Sequence, residues 1–173
     1  LLYGPTGVGK TTLAQNLTKR INDDNIDELK GVRCIYYSCD KDNLGDFSWR
    51  YLKHKLFSMG KPLVVILDEA AFADEKQIIR ISSMWDNKQI KSVVYIQINE
   101  VPKLDQLVRR VGEYKIKMRT IAANEIFELL KQRQRDLKIF DDNALRHISH
   151  TCNMNPSIAL QHCDMVAEEL ANP

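Results

Sequence analysis

Gly4-Pro5-Thr6-Gly7-Val8-Gly9-Lys10-Thr11 spells G-x-x-x-x-G-K-T directly after the apolar Leu1-Leu2-Tyr3 and directly before a helical run. Its glycines let the backbone curl so that successive N–H groups and a helix N-terminus face one point, a cradle for phosphate oxygens. The cradle forms only when a strand leads in and a helix leads out, so the motif commits the chain to a strand–loop–helix unit at its start. The other reading, a glycine-rich turn that merely carries a lysine, does not need all eight positions in that setting.

In such a loop Lys10 reaches the β- and γ-phosphates and the Thr11 hydroxyl ligates magnesium. Gly4, Pro5, Thr6, Gly7, Val8, Gly9, Lys10, Thr11 and the adjacent Thr12 are therefore the expected nucleotide-binding set, with ATP and Mg2+ as cofactors.

The run Leu63-Val64-Val65-Ile66-Leu67-Asp68-Glu69 is an apolar strand ending in two carboxylates. Acids at a strand's C-terminal edge stand where a nucleotide binds in a parallel sheet. Asp68 is expected to hold magnesium through water, and Glu69 to orient and deprotonate the attacking water. The competing role for the pair is to cap the helix that follows.

Further apolar runs, rich in β-branched and aromatic residues, predict strands at 32–37, 93–98 and, more weakly, 114–118. Helical patterns lie between them at 10–21, 47–57, 75–85 and 104–110. Strict alternation of this kind predicts a parallel sheet covered on both faces, a three-layer α/β fold. After residue 118 the pattern changes to three amphipathic helices, 124–137, 142–151 and 156–170, with Asp141 placed to cap the second and Pro156 suited to a first turn. The expected division is an α/β nucleotide-binding domain over 1–119 and a small helical lid over 120–173.

Asn99 closes the predicted strand 93–98 and can sit beside Asp68 and Glu69, where it would bond the γ-phosphate or the lytic water. Gln97 points to the same face but deeper. An Asn that only turns the chain before Pro102 is the alternative. Arg109 and Arg110 end the helix 104–110; one of them can supply positive charge to a neighbouring subunit's γ-phosphate, or both can complement the helix dipole.

Together these features resemble the AAA+ ATPases: a phosphate loop, an acidic pair on a strand, a polar residue ending the next strand, an arginine one helix later, then a helical lid. The resemblance covers essentially the whole chain. The stretch 104–133, with Arg110 before a strand and the lid pattern Glu125-Ile126, Glu128, Leu130 and Arg133, is similar to the replication-initiator ATPases of the origin-recognition and helicase-loading type. The resemblance implies an ATP-hydrolysing switch in replication initiation or helicase loading, neighbouring AAA+ subunits as partners, and Arg110, with Arg109 next, as the arginine finger.

It also implies DNA as a partner, bound directly or through a winged-helix domain outside these residues. Two departures stand out. The segment 39–63 holds one helix, as compact as in the small clamp-loader subunits, and Ser157 occupies the position where a lid arginine is expected. A clamp-loader or transposition-regulator ATPase, or a nucleotide-gated signalling module with little turnover, are the other readings. Ser157 is what keeps the last one open.

Composition excludes other classes. Hydrophobic residues at 44% and charged residues at 28% are those of a globular protein rather than a disordered one. The longest apolar run, 63–67, is too short to span a bilayer, and no signal segment opens the chain, so no membrane partner and a cytoplasmic or, in a eukaryote, nuclear location are expected. Four cysteines without C-x-x-C spacing fit reduced thiols. The sequence starts without Met inside a motif that normally follows a buried strand, so further chain is expected upstream.

Overall fold

The computed structural model describes residues 1–57, 60–100, 111–134 and 139–171. Among them the elements run β1 (Leu2–Tyr3), α1 (Lys10–Asn22), β2 (Arg33–Ser38), α2 (Leu44–Phe57), β3 (Leu63–Asp68), α3 (Glu75–Asp86), β4 (Ser92–Gln97), β5 (Ile116–Lys117), α4 (Ala123–Arg133), α5 (Asp142–Thr151) and α6 (Pro156–Ala171). The five strands form one sheet in the order β2-β3-β4-β1-β5. Every pairing is parallel. The predicted helix 104–110 lies outside the described residues.

The chain falls into two compact units. The first comprises Leu1–Tyr3 and Lys10–Lys117. In it β3 is buried on both faces, which is why it reads as a continuous apolar run rather than an alternating one. Leu63, Val65 and Leu67 share a core with Ile78, Ile81 and Met84 of α3 and Phe47 of α2. Phe47 meets Tyr37 edge to ring at 5.7 Å, a geometry that contributes about 1 kcal/mol beyond the area it buries. Ile66 points to the opposite face and is fully buried. On that side α1 packs on β2 and β3, burying Ala14 and Ile21.

Helix α3 begins where Asp74 accepts from Gln77 N at 2.6 Å while Gln77 Oε1 accepts from Asp74 N at 3.0 Å. This reciprocal box stabilises the helix start by about 1 kcal/mol. Helix capping after β3 thus falls to Asp74, not to the acidic pair Asp68-Glu69.

The second unit comprises Gly4–Gly9 and Met118–Pro173. Helices α4 and α5 bury Ile126, Phe127, Leu130, Leu145 and Ile148 against Ala159 of α6. As expected, Asp141 caps α5, accepting from Ala144 N at 2.7 Å. Helix α4 is closed from within: Glu125 accepts from Ala122 N at 2.9 Å and pairs in a fork with Arg119 at 2.6 and 2.8 Å. The loop Gly4–Gly9 groups with this helical unit, although in sequence it sits between β1 and α1 of the other.

Candidate functional site

Because the sheet is parallel, β1, β3 and β4 end on one edge, and β4 separates the other two. At ordinary strand spacing the ends of β1 and β3 lie about 10 Å apart, room for a phosphate group and its cation. The chain leaves β1 into the glycine-rich loop and returns at Lys10, the first residue of α1. Lys10 is only 5% exposed. Burial lowers its pKa, and the carboxylates of Glu69 and Asp68 act against that shift. Three residues expected from two separate motifs, Lys10 and the pair Asp68-Glu69, therefore share one electrostatic environment.

Asp68 is 1% exposed at the end of β3. Both its oxygens are held: Oδ1 accepts from Glu69 N at 3.0 Å, and Oδ2 accepts from the Tyr36 hydroxyl at 2.8 Å. Burial, reinforced by the Asp68 carboxylate, pushes the Tyr36 phenol up to about 12, so at neutral pH it is a donor. Glu69 is half-buried and adopts a left-handed backbone, φ 51° and ψ 44°. Non-glycine residues are rarely found there, and such strain concentrates at functional sites. Its side chain makes no capping bond. Burial and the neighbouring Asp68 raise its pKa, with Lys10 opposing.

Four carboxylates contribute a negative field at this edge. Burial pushes the Cys39 thiol up to about 12, aided by Asp68, Asp40, Asp42 and Glu69. A divalent cation would offset that field. Among the described residues no group of three or more His, Cys, Asp or Glu is arranged to hold a metal. Magnesium commonly needs none, taking one carboxylate, waters and the substrate's phosphates. The donor set of Asp68 and the Thr11 hydroxyl fits that cation.

Gln97 and Asn99 sit differently from each other. The strand ends at Gln97, one residue earlier than predicted. Gln97 is buried, and its Nε2 donates to Asn99 O at 2.6 Å. Asn99 itself is exposed, two residues beyond the strand. Continuing the register of Leu67 with Tyr95 sets Gln97 level with Glu69, and Gln97 pairs with Tyr3 on the other side. Arg109 and Arg110 lie outside the described residues.

In the second unit, Gly7 takes φ +81° within the loop. The Ser157 hydroxyl, standing where a lid arginine is expected, donates to Gly7 O at 3.4 Å, and Asn155 Nδ2 donates to Thr6 O at 3.5 Å. Sequence reading did not find Tyr36 or Asn155: neither belongs to a motif. The one available signal for Tyr36 was a polar-tipped residue within a strand otherwise bound for burial.

The sequence signature of the ATPase family associated with various cellular activities (AAA) matches residues 1–122. Among curated protein sequences none matches the chain. Solved structures do. The Thermotoga maritima RuvB Holliday junction branch migration motor is 20% identical with a TM-score of 0.72, over 98% of this chain and 54% of that one. The Aeropyrum pernix ORC1 protein in complex with DNA is 19% identical with a TM-score of 0.72, over 97% of this chain and 54% of that one. At these identities the likeness is one of fold, and the chain spans about half the length of the structures it matches.

Proposed function

Since the chain belongs to the ATPase family associated with various cellular activities (AAA), we propose that it binds ATP with magnesium and hydrolyses it, serving as a switch in an assembly that works on DNA. The observation that carries this reading is the convergence of the buried Lys10 with the buried Asp68 and the half-buried Glu69. In such a site the ammonium would face the phosphate oxygens and the acidic side chains the magnesium and the attacking water.

In this reading the loop N–H groups and Lys10 bind the β- and γ-phosphates, and Thr11 and Asp68 hold the cation. Bound magnesium neutralises charge that develops on the transferring phosphoryl group. Glu69 orients a water in line with the γ-phosphate and accepts its proton. Asn99 or Gln97 contacts the γ-phosphate or that water, and Arg110 or Arg109 completes a neighbour's site.

A replication-initiator or helicase-loader role is supported by the resemblance of 104–133 and by a fold shared with a protein solved in complex with DNA. The branch migration motor shares that fold equally, so the choice of DNA transaction rests on the sequence pattern alone. A second reading, a nucleotide-gated module with little turnover, is favoured by one observation: Ser157, in place of an arginine, bonds a loop carbonyl.

The test is titration of a fluorescent ATP analogue with magnesium into the chain and into Lys10→Ala. Losing charge-assisted bonds to two phosphates should weaken binding about a hundredfold or more. Equal affinity in the two proteins would remove the phosphate-loop assignment, and with it the proposed function.

A further inference from the structure

Tyr36 lies on β2, outside every motif of the site. Its neighbours follow from the register: Ser38 pairs with Asp68 and Tyr36 with Ile66, so Tyr36 and Ser38 share a face and Asp68 is the diagonal neighbour of Tyr36. A diagonal separation of about 7–8 Å is too long for a serine but within reach of a phenol. The hydroxyl closes on Asp68 Oδ2 at 2.8 Å. Ser38, level with Asp68, donates to the Asp40 carboxylate. The Tyr36 backbone is itself fixed, its carbonyl accepting from Arg50 Nη1 at 2.7 Å.

Tyr36 therefore reaches across from β2 to the strand end that carries Asp68, the carboxylate that would hold the cation. Since Glu69 N occupies Oδ1 of Asp68 at 3.0 Å, the second contact fixes the carboxylate plane instead of leaving it to rotate.

We propose that Tyr36 is the positioning residue of the cation site: through its hydroxyl it sets the orientation of Asp68. This rests on the reading of Asp68 as the carboxylate that holds the nucleotide's cation. The competing explanation is that the hydroxyl only satisfies a buried carboxylate. That role would appear in stability alone.

Tyr36→Phe removes the oxygen and keeps the ring. Manganese(II) affinity in the presence of ADP, followed by electron paramagnetic resonance, should fall roughly ten- to a hundredfold, as for other partners of metal-holding carboxylates. Affinity for ADP without metal should stay within twofold of the parent. Unchanged or tighter manganese binding by Tyr36→Phe, with only a lower melting temperature, would overturn the proposal. A fall in metal-free ADP affinity as large as the fall for manganese would overturn it too. If the parent chain bound neither ADP nor manganese–ADP, the nucleotide-site reading itself would fail, and this assignment with it.

Discussion

The side chain of Asn155 fills the space that a side chain on Gly7 would need. The carboxamide has two further tasks: its oxygen accepts from Ser157 N at 3.0 Å and Ile158 N at 3.4 Å, closing the start of α6, and its nitrogen reaches Thr6 O. Gly7 is thus constrained twice, by φ +81° and by a neighbour that leaves no room for Cβ.

Gly7→Ala should accordingly destabilise the helical unit. The left-handed backbone alone costs an L-residue about 1–2 kcal/mol, and the overlap with Asn155 adds about 1–3 kcal/mol. Asn155→Ala removes the overlap but loses a cap, at about 1 kcal/mol. The double variant should be more stable than the sum of the single losses implies, by about 1 kcal/mol in a urea double-mutant cycle. Strict additivity would show that the loop and Asn155 do not touch in solution.

Glu69→Gln should keep nucleotide binding and lose hydrolysis. The amide preserves the side chain's shape, while a general base contributes about 10²–10⁴-fold. Single-turnover hydrolysis of radiolabelled ATP at saturating enzyme measures this directly. A rate equal to the parent's would leave Glu69 as no more than a strained residue closing β3.

How much of this was legible beforehand follows the range of the interactions. Lys10 and the pair Asp68-Glu69 could be read because each motif is local and parallel topology brings strand ends to one edge. The capping role held open for Asp68 and Glu69 fell to Asp74, whose box with Gln77 is itself a local signature. Tyr36 and Asp68 meet only through the register of two strands 30 residues apart in sequence, and no one-dimensional pattern encodes that. Asn155 is further still, 149 residues from Thr6. The end of β4 was misjudged by one residue, since Ile98 extends the apolar run yet is 46% exposed. Hydrophobicity predicts burial there, but the ladder ends first.

The pairing of Arg119 with Glu125 sets a pH dependence. The guanidinium, then the Ala122 N–H, hold the Glu125 carboxyl at about 2 instead of 4.5. A lowered acid pKa stabilises the folded state above the unfolded value, and that contribution disappears as pH falls from about 4.5 toward 2. Glu125→Gln should therefore melt below the parent at pH 7, and the gap should close as the pH is lowered through that window. Both groups are exposed, so 1 M salt should also shrink the gap. A gap independent of pH would assign the loss to packing of α4.

Assembly is where Arg110 and Arg109 enter. If Arg110, or its neighbour Arg109, completes the site of an adjacent subunit, Arg110→Ala should leave ATP affinity of the isolated chain intact. Hydrolysis in the assembled state should fall by up to about a thousandfold. Mixing gives the direction of action. An Arg110→Ala chain retains its phosphate loop and a Lys10→Ala chain retains its arginine, so their shared interface pairs one intact loop with one intact finger. Activity should partly return, rising with the proportion of mixed interfaces. An arginine acting within its own subunit, or one that only complements a helix dipole, gives no recovery at any ratio. That result would dismiss the assembled switch and leave the nucleotide-gated module, in which bound nucleotide holds a closed state, as the surviving account.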